Sequence, residues 1–397
     1  MFEPDVLRQE GALVACRRRL HERPELSFHE FETTEYLENA LREMGVDELS
    51  RPCKTGLIAV IHGTKPGKAA TLGVRADIDA LPIQEDNDLP YRSKTPGVMH
   101  ACGHDAHAAI ALTLARLLCA RRSELCGTVR LLFQHAEELP PGGAIEMVRA
   151  GAAEGLDAVL GIHLSTTFPS GHFGVRAGAL TANTDRFDIA ILGKGGHCAL
   201  PETCIDPVVT GAQIILALQT LVSRKMAAVD PAVVSVCQAN AGNAYNIIPN
   251  TMTLTGTTRC LGPQARAFLH AEMERIVRGI TQAAGAGCEF SWQDGYPSVM
   301  NDEGLTNLAE QLIEARFGAE RVLHISPLMP GEDYPYFLED GKRPGFFVEL
   351  GTRNAACGSD QPHHNPHFKI DEDCLKYGVQ FLLDMVLRLL DGTRDAL

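Results

Sequence analysis

The chain has 397 residues, of which 45% are hydrophobic and 22% are charged. This length exceeds what a single hydrophobic core usually serves, so two domains are expected. Lysine and arginine total 36 against 50 aspartates and glutamates, a formal net charge of −14. Without a basic block, this composition argues against a nucleic-acid partner, and no apolar stretch approaches the length of a membrane span.

Twelve cysteines are scattered singly along the chain, often inside apolar runs. They are too few for a disulfide scaffold in a chain of this length, so most are expected to be buried small hydrophobic residues. Residues 1–5 are acidic and lack the apolar region that a signal peptide needs, so no signal peptide is predicted. A reducing cytoplasm is the compartment that fits this pattern.

The first half of the chain alternates helices and strands. In chain order, the apolar spacing predicts helices over residues 6–20 and 31–44, strands over 57–61 and 71–74, a helix over 106–118, a strand over 128–133, a helix over 144–150 and a strand over 158–162. Strands separated by helices of this length indicate an α/β sheet covered on both faces.

The pattern changes near residue 184. The predicted elements become strands over 186–192, 232–238, 251–259 and 288–293, with helices over 207–225 and 263–284. This arrangement is typical of an α+β domain with one open sheet face. Long helices and a buried strand over 345–350 then return. We therefore predict a discontinuous α/β domain, residues 1–184 and 297–397, with a mixed sheet flanked by helices, and an inserted α+β domain, residues 185–296.

A thiol, an imidazole and a carboxylate occur together in residues 99–105. Cys102 and His104 are two positions apart, so in extended or turn backbone they face the same side. Asp105 lies near the predicted cap of the following helix, whose dipole favours a thiolate. A thiolate and a neutral imidazole at this spacing form half of a transition-metal site.

Two adjacent carboxylates, Glu137 and Glu138, come just after the predicted strand over 128–133. Open α/β sheets build their sites at such strand ends. Because neighbouring side chains of extended backbone point opposite ways, one carboxylate can ligate a metal while the other acts as a base. Taken alone, the pair also fits a solvated loop start.

Other polar residues follow the predicted strands in the same way. Asp77 and Asp79 lie on one face after the strand over 71–74. This position fits metal ligands, residues that orient a ligand, or turn residues. His163 terminates the strand over 158–162, a place where a lone histidine is more often structural than a ligand.

A polar loop before the last helix holds His363, His364 and His367, which spacing alone does not rank. Together the polar segments supply more ligands than one metal needs. Two metals that share a carboxylate or a water would explain the surplus.

These residues resemble the M20 metallopeptidases, and most closely their amidohydrolase branch of hippurate hydrolases, N-acyl-amino-acid amidohydrolases and auxin-conjugate hydrolases. The matching motifs, in the family's order along nearly the whole chain, are Asp77-x-Asp79-Ala80-Leu81-Pro82, Cys102-Gly103-His104-Asp105, Ala136-Glu137-Glu138, Gly161-x-His163, Gly195-Gly196-His197, Asn246-Ile247-Ile248-Pro249, Gly256-Thr257-Thr258-Arg259, Gly331-Glu332-Asp333 and His364-Asn365-Pro366-x-Phe368. Other branches carry His-x-Asp and lack the Cys-Gly-His pair.

The resemblance implies a site for two divalent transition-metal ions, which could be Zn, Mn, Co or Ni. The five ligands that it implies are Cys102, His104, Glu138, His163 and His364. It assigns Glu137 as the general base and places Asp79 behind the site, orienting a ligand, with Asp105 as further support.

The resemblance also implies that the inserted domain is a lid and dimerisation domain, so the protein would be a homodimer. His197 on this domain would reach a substrate carbonyl, often in the partner subunit's site. Asn246 and Arg259 would contact the polar end of the substrate, although Arg259 also fits a surface arginine on a strand. His135 and Cys198 depart from the family pattern near the site, where proline and a small residue are usual.

We therefore expect hydrolysis of the amide bond in N-acyl amino acids or similar small conjugates, by a metal-activated water. Within the family, the alternatives are small dipeptides or N-acyl-diaminopimelate as substrates. A cysteine hydrolase that uses Cys102, His104 and Asp105 is a rival, although this spacing is poor for a nucleophile and its base. A non-catalytic, metal-dependent binding protein is a further rival, against which the unligated Glu137 argues.

Overall fold

The structure is a computed structural model that describes residues 1–339 and 341–393. The α-helices are α1 (Pro4–Glu22), α2 (Phe31–Met44), α3 (His104–Ala120), α4 (Gly143–Arg149), α5 (Pro207–Thr220), α6 (Gly262–Ala283), α7 (Glu303–Phe317) and α8 (Leu375–Leu389). The strands are β1 (Glu48–Ser50), β2 (Leu57–His62), β3 (Ala70–Asp77), β4 (Gly127–Gln134), β5 (Ala158–Pro169), β6 (Phe173–Val175), β7 (Gly178–Ala179), β8 (Asn183–Leu192), β9 (Gly196–His197), β10 (Ala232–Ala241), β11 (Ile247–Ile248), β12 (Thr251–Cys260), β13 (Gly287–Asp294), β14 (Met300–Asn301), β15 (Val322–His324) and β16 (Gly345–Arg353).

The chain divides into two compact units. The first consists of Met1–Leu180, Met300–Ser326 and Asp333–Leu397, and the second of Thr181–Val299 and Pro327–Glu332. The short segment 327–332 belongs to the second unit because the N–H of Ala182 donates to the carbonyl of Leu328 at 2.9 Å. Sequence analysis leaves this segment within the first domain, because no helical or strand periodicity sets it apart.

Within the described residues, the first unit is built on an eight-stranded mixed sheet in the order β1-β2-β4-β3-β5-β16-β6-β15. The central strands β4, β3, β5 and β16 run parallel to one another. Nearly every side chain of β3 and β16 is buried, as expected for strands of a sheet flanked by helices. The predicted fold class is therefore confirmed.

The alanine-rich helix α3 is buried along most of its length and packs against α1, α8 and β3. Its small side chains let the neighbouring helices and the sheet approach it closely from several sides. A helix that is covered on several sides can be apolar around most of its circumference. Its first residue is His104, so the buried helix presents this imidazole at the edge of the sheet where β3 ends.

The carboxyl ends of three parallel strands meet at this edge. Asp77, the last residue of β3, pairs with Gln134, the last residue of β4. The prediction that His163 terminates its strand is wrong, since β5 continues to Pro169 by pairing with β16. Pairing between β5 and β3 nevertheless stops at Gly161, so His163 lies level with Asp77.

The second unit contains a four-stranded antiparallel sheet in the order β10-β12-β8-β13. Alternating residues of β8, including Phe187, Ile189 and Ile191, are buried in a core with residues of α5 and α6. A separate pair of short strands joins β9 to β11. No helix among the described residues combines the length and apolar character needed to cross a bilayer.

Candidate metal centre

Cys102 and His104 stand on either side of Gly103, the residue immediately before α3. Gly103 has φ of 99°, in the left-handed region that side-chain-bearing residues rarely adopt. The chain turns sharply there, so Cys102 remains in the loop while His104 opens the helix. Both side chains are buried.

The Cys102 sulfur lies among imidazoles and a carboxylate. Its Sγ is 3.5 Å from His163 Nε2 and 3.5 Å from His363 Nδ1. Donor atoms of Cys102, Glu138 and His364 also lie within 4.8 Å of one another. Glu138 Oε1 is 3.1 Å from His364 Nε2.

A second group adjoins the first and shares Glu138 with it. The donor atoms of His104, Glu137 and Glu138 lie within 4.8 Å of one another. His104 Nε2 is 4.0 Å from Glu138 Oε1. This nitrogen is buried and has no hydrogen-bond partner in the described part of the chain.

Asp79 orients two members of this group. The Nδ1 of His104 donates to Asp79 Oδ1 at 3.1 Å, while the backbone N–H of Glu138 and the Ser27 hydroxyl donate to Asp79 Oδ2 at 3.0 and 2.7 Å. Although burial opposes a charged ring, Asp77 and Asp79 raise the pKa of His104 to about 10. The carboxylates around His104 therefore favour positive charge on this imidazole.

The donor set fits two divalent transition-metal ions. It combines a thiol, imidazoles and carboxylates, a mixture that suits zinc and its neighbours. Two ligands of a tetrahedral zinc, one sulfur and one nitrogen, stand about 3.5 Å apart, which follows from the usual Zn–S and Zn–N bond lengths. The orphaned His104 Nε2 gives an ion a buried nitrogen to bind. All five residues expected as ligands lie in the two adjoining groups.

The expectation that a helix dipole favours the Cys102 thiolate is wrong for the metal-free protein. Burial, together with the charges of Glu138, Glu137 and Asp77, raises the pKa of the Cys102 thiol well above its usual value. Burial is the largest of these causes, and the full negative charges of the neighbouring carboxylates act in the same direction. A metal ion that binds this sulfur must therefore displace its proton.

Asp77 takes a supporting role that the sequence left open. The Nδ1 of His107 donates to Asp77 Oδ1 at 2.6 Å, and the N–H of Leu164 donates to His107 Nε2 at 2.9 Å. Arg75 donates to Asp77 at 2.7 Å and to Asp333 at 3.1 Å. This buried chain joins α3 to the segment of β5 that carries a candidate ligand. Sequence analysis missed His107, although it lies one helical turn after His104.

Glu30 is another residue that sequence analysis missed. Its Oε1 accepts hydrogen bonds from the N–H groups of Ala136, at 2.8 Å, and Phe28, at 3.0 Å. Ala136 has φ of 50°, so the buried carboxyl holds the tight turn that leads into Glu137. Burial and the charge of Asp79 raise the pKa of Glu30 to about 7.

Asp105, expected to support the metal site, faces α1. Its Oδ2 is 2.8 Å from Arg17 Nε and 2.8 Å from His21 Nδ1. All three side chains are buried. Asp105 therefore ties the first turn of α3 to α1, while Asp79 contacts the ring of His104.

The loop before α8 brings two of its histidines to the cluster. His364 has φ of 58° and its N–H donates to the carbonyl of Ala101 at 2.8 Å, which ties the loop to the segment preceding Cys102. His363 contacts the Cys102 sulfur, and burial and His364 lower the pKa of His363 to about 3. His367 is exposed.

The remaining candidate residues lie in the second unit. His197 on β9 is exposed and is paired with β11 next to Asn246, whose carbonyl accepts from the N–H of Cys198 at 3.3 Å. The N–H of Ala199 donates to His197 Nδ1 at 3.1 Å, so a neutral ring carries its proton on Nε2. Arg259 lies on β12, in the other sheet.

Arg259 is partly held by its own strand. Its Nη1 donates to the Thr257 hydroxyl at 2.5 Å and to the carbonyl of Thr258 at 2.8 Å. The side chain is half-buried. These bonds hold the guanidinium against its own strand.

Comparisons of the sequence with known proteins identify one family. Residues 73–388 match the family described as peptidase family M20/M25/M40. The chain is 43% identical over 380 residues to an N-acetylcysteine deacetylase of Bacillus subtilis, covering 96% of this chain and 97% of that protein. It is 47% identical over 293 residues to an N-acyl-L-amino acid amidohydrolase of Geobacillus stearothermophilus, covering 74% of this chain and 79% of that protein.

Solved structures agree with these sequence matches. A dinuclear metal-binding peptidase of family M20 from Bacillus subtilis is similar to this chain with a TM-score of 0.84 and 39% identity, over 97% of this chain and 99% of that one. A structure from methicillin-resistant Staphylococcus aureus, described as an aminohydrolase, reaches a TM-score of 0.91 at 35% identity, over 97% and 98% of the two chains.

Proposed function

The chain belongs to peptidase family M20/M25/M40 and is a hydrolase, and from this premise we propose that it cleaves the amide bond of N-acyl amino acids in a metal-dependent reaction. The observation that carries the proposal is the cluster of donors around Cys102 and Glu138, with Glu137 beside it. Relatives named for N-acyl amino acids and N-acetylcysteine support this substrate class.

Two divalent metal ions belong to the proposal. The residues that would hold them are Cys102, His104, Glu138, His163 and His364. When bound, the ions supply Lewis acidity, which activates water and polarises a carbonyl. Before binding, Asp79 holds His104 in place and the Cys102 thiol keeps its proton, which must leave as the metal-loaded site forms.

Glu137 is the proposed general base. It accepts the proton of the attacking water and later delivers this proton to the leaving amine, as one carboxylate can do in both steps. Its neighbour Glu138 is held by Asp79 and His364, so the two adjacent carboxylates have different surroundings and can take different roles.

His197, Asn246 and Arg259 are the proposed substrate-binding residues. The Nε2–H of His197 is a donor that can stabilise the oxyanion formed from the amide carbonyl. Arg259 presents a guanidinium suited to the free carboxylate of an amino acid. Such local positive charge matters in a chain whose net charge is −14.

A substrate panel tests the proposal. Enzyme reconstituted with Mn²⁺, Co²⁺ or Zn²⁺ would be assayed with N-acetyl, N-benzoyl and longer N-acyl amino acids, beside small dipeptides and N-acyl-diaminopimelate. We expect kcat/KM for the best N-acyl amino acid to exceed that for any dipeptide at least about tenfold, since burying the charged amino group of a dipeptide costs free energy that an uncharged acyl group does not. The methyl ester of the best substrate is the matched control, because esterification removes the negative charge of the carboxylate and leaves the amide and the acyl group unchanged. Preferred cleavage of dipeptides would contradict the proposal.

We further propose a homodimer formed through the second unit. Val209 and Leu216 are exposed on α5, and β10 is an edge strand whose outer side has no partner within the described chain. Exposed apolar side chains beside an unpaired edge are typical of association surfaces.

We also propose that the protein works in a reducing cytoplasm, which the twelve free thiols support.

Mixing inactive subunits tests the dimer. If His197 acts in the partner subunit's site, equal amounts of His197→Ala and Glu137→Ala protein should recover about a quarter of wild-type activity after exchange, because half of the dimers are mixed and each has one intact site. Each variant exchanged with itself is the control. Absence of recovery, with exchange verified by mass spectrometry, would contradict a role for His197 in the partner's site.

A further inference from the structure

A second imidazole, His363, approaches the Cys102 sulfur at the same distance as the proposed ligand His163. Each ring nitrogen is 3.5 Å from Cys102 Sγ. The proposed ligand set uses His163 and leaves His363 without a role. The hydrogen bonds on the far side of each ring distinguish the two.

The ring of His163 turns a bare nitrogen toward the sulfur. Its Nδ1 is 2.8 Å from the carbonyl oxygen of Leu164, an atom that can only accept. Nδ1 therefore carries the proton, and Nε2 keeps its lone pair for a metal ion. The 3.5 Å between this nitrogen and Cys102 Sγ is then a distance between two ligands.

The ring of His363 has the opposite arrangement. The N–H of Thr166 donates to His363 Nε2 at 3.4 Å, which occupies that lone pair. The ring is stacked on His163 with centroids 5.4 Å apart, and its centroid is 5.0 Å from that of the Phe368 ring. A neutral ring with an accepting Nε2 carries its proton on Nδ1, the atom that faces the sulfur.

We propose that His363 is a positioning residue that donates an N–H···S hydrogen bond from Nδ1 to the Cys102 thiolate, and is not a further metal ligand. This inference rests on the proposed metal site. The 3.5 Å between His363 Nδ1 and Cys102 Sγ is within reach of an N–H···S hydrogen bond, and such a donor stabilises negative charge on the sulfur. Hydrogen bonds to ligand atoms are known to tune metal affinity and the electronic state of a sulfur ligand.

Cobalt spectroscopy tests this role without measuring turnover. The protein would be loaded with Co²⁺, and the sulfur-to-cobalt charge-transfer band and the ligand-field bands would be recorded for wild type and His363→Ala. Loss of the donor raises the energy of the sulfur lone pairs, so the charge-transfer band should move to longer wavelength. The ligand-field bands should keep their intensity, because no ligand is lost. Co²⁺ affinity should fall about 10- to 100-fold.

Two further variants make the result specific. His363→Asn keeps an N–H donor near the position of Nδ1 and should restore the band position. His367→Ala alters an exposed histidine of the same loop and should behave as wild type. Circular dichroism and the melting temperature show whether each variant is folded.

The outcomes separate this inference from the proposed function. A change of ligand-field intensity in His363→Ala would identify His363 as a ligand and overturn the inference. An unshifted charge-transfer band with unchanged affinity would also overturn it. A wild-type protein that binds Co²⁺ without any sulfur-to-cobalt band would overturn the proposed ligand set, and this inference with it.

Discussion

Replacing Glu137 by glutamine is expected to lower kcat by about 10²–10⁴-fold while both metal ions remain bound. Glutamine keeps the shape of the buried side chain and cannot accept the proton of an attacking water. The metal content should not change, because the proposed ligands are other residues. Steady-state kinetics and metal analysis of the same preparation provide the two measurements.

Glu138→Gln is the matched control for this prediction. The two residues are neighbours at the end of β4, but Glu138 contacts His364 and is held by Asp79. We expect this variant to lose metal as well as activity. If kcat is unchanged in Glu137→Gln, Glu137 is not part of the mechanism. If the wild-type protein binds the substrate but does not turn it over, a binding protein is favoured.

Removal of the metal ions by a chelator is expected to abolish hydrolysis, and Mn²⁺, Co²⁺ or Zn²⁺ should restore it. Activity should return in proportion to the metal bound, because the Lewis acid is part of the proposed reaction. Activity that survives chelation and disappears on thiol alkylation would support a cysteine hydrolase. Cys198, Cys237 and Cys357 are exposed and will react first, so peptide mass spectrometry must follow Cys102 itself.

The pH dependence of metal binding provides a second measurement on the chelated protein. The pKa of Cys102 is raised and that of His104 is about 10, so both carry protons at neutral pH without metal. An ion must displace these protons, and its apparent affinity should fall as the pH falls, by about tenfold per pH unit for each proton displaced. An affinity that is independent of pH between 6 and 8 would contradict this set of ligands.

Local patterns predicted most of the secondary structure because burial repeats with a fixed period along one element. The strand expected over residues 128–133 is β4, Gly127–Gln134, and the helix expected over 263–284 is α6, Gly262–Ala283. The extension of β5 beyond residue 162 was missed, since its cause is pairing with β16, nearly two hundred residues later in the chain.

Motifs also identified residues that the fold gathers into one cluster, although the roles assigned to them stay predictions. Cys102, His104 and the pair Glu137 and Glu138 were recognisable because their spacing relative to helix and strand ends is a local property, while the family resemblance separated the two glutamates. Spacing alone ranked none of His363, His364 and His367, and the family resemblance selected His364 without giving His363 a role. The contacts of His363 with Thr166 and Cys102 come from distant parts of the chain.

By itself, the sequence determined the alternation of elements, the family, and the kinds of ligand available to the metal centre. Only the tertiary structure decided which neighbours those ligands have. It turned Asp105 toward Arg17 and surrounded Cys102 with carboxylates that, with burial, raise its pKa. The physical reason is that charge state and hydrogen bonding depend on distances between segments far apart in the chain, and no local spacing encodes those distances.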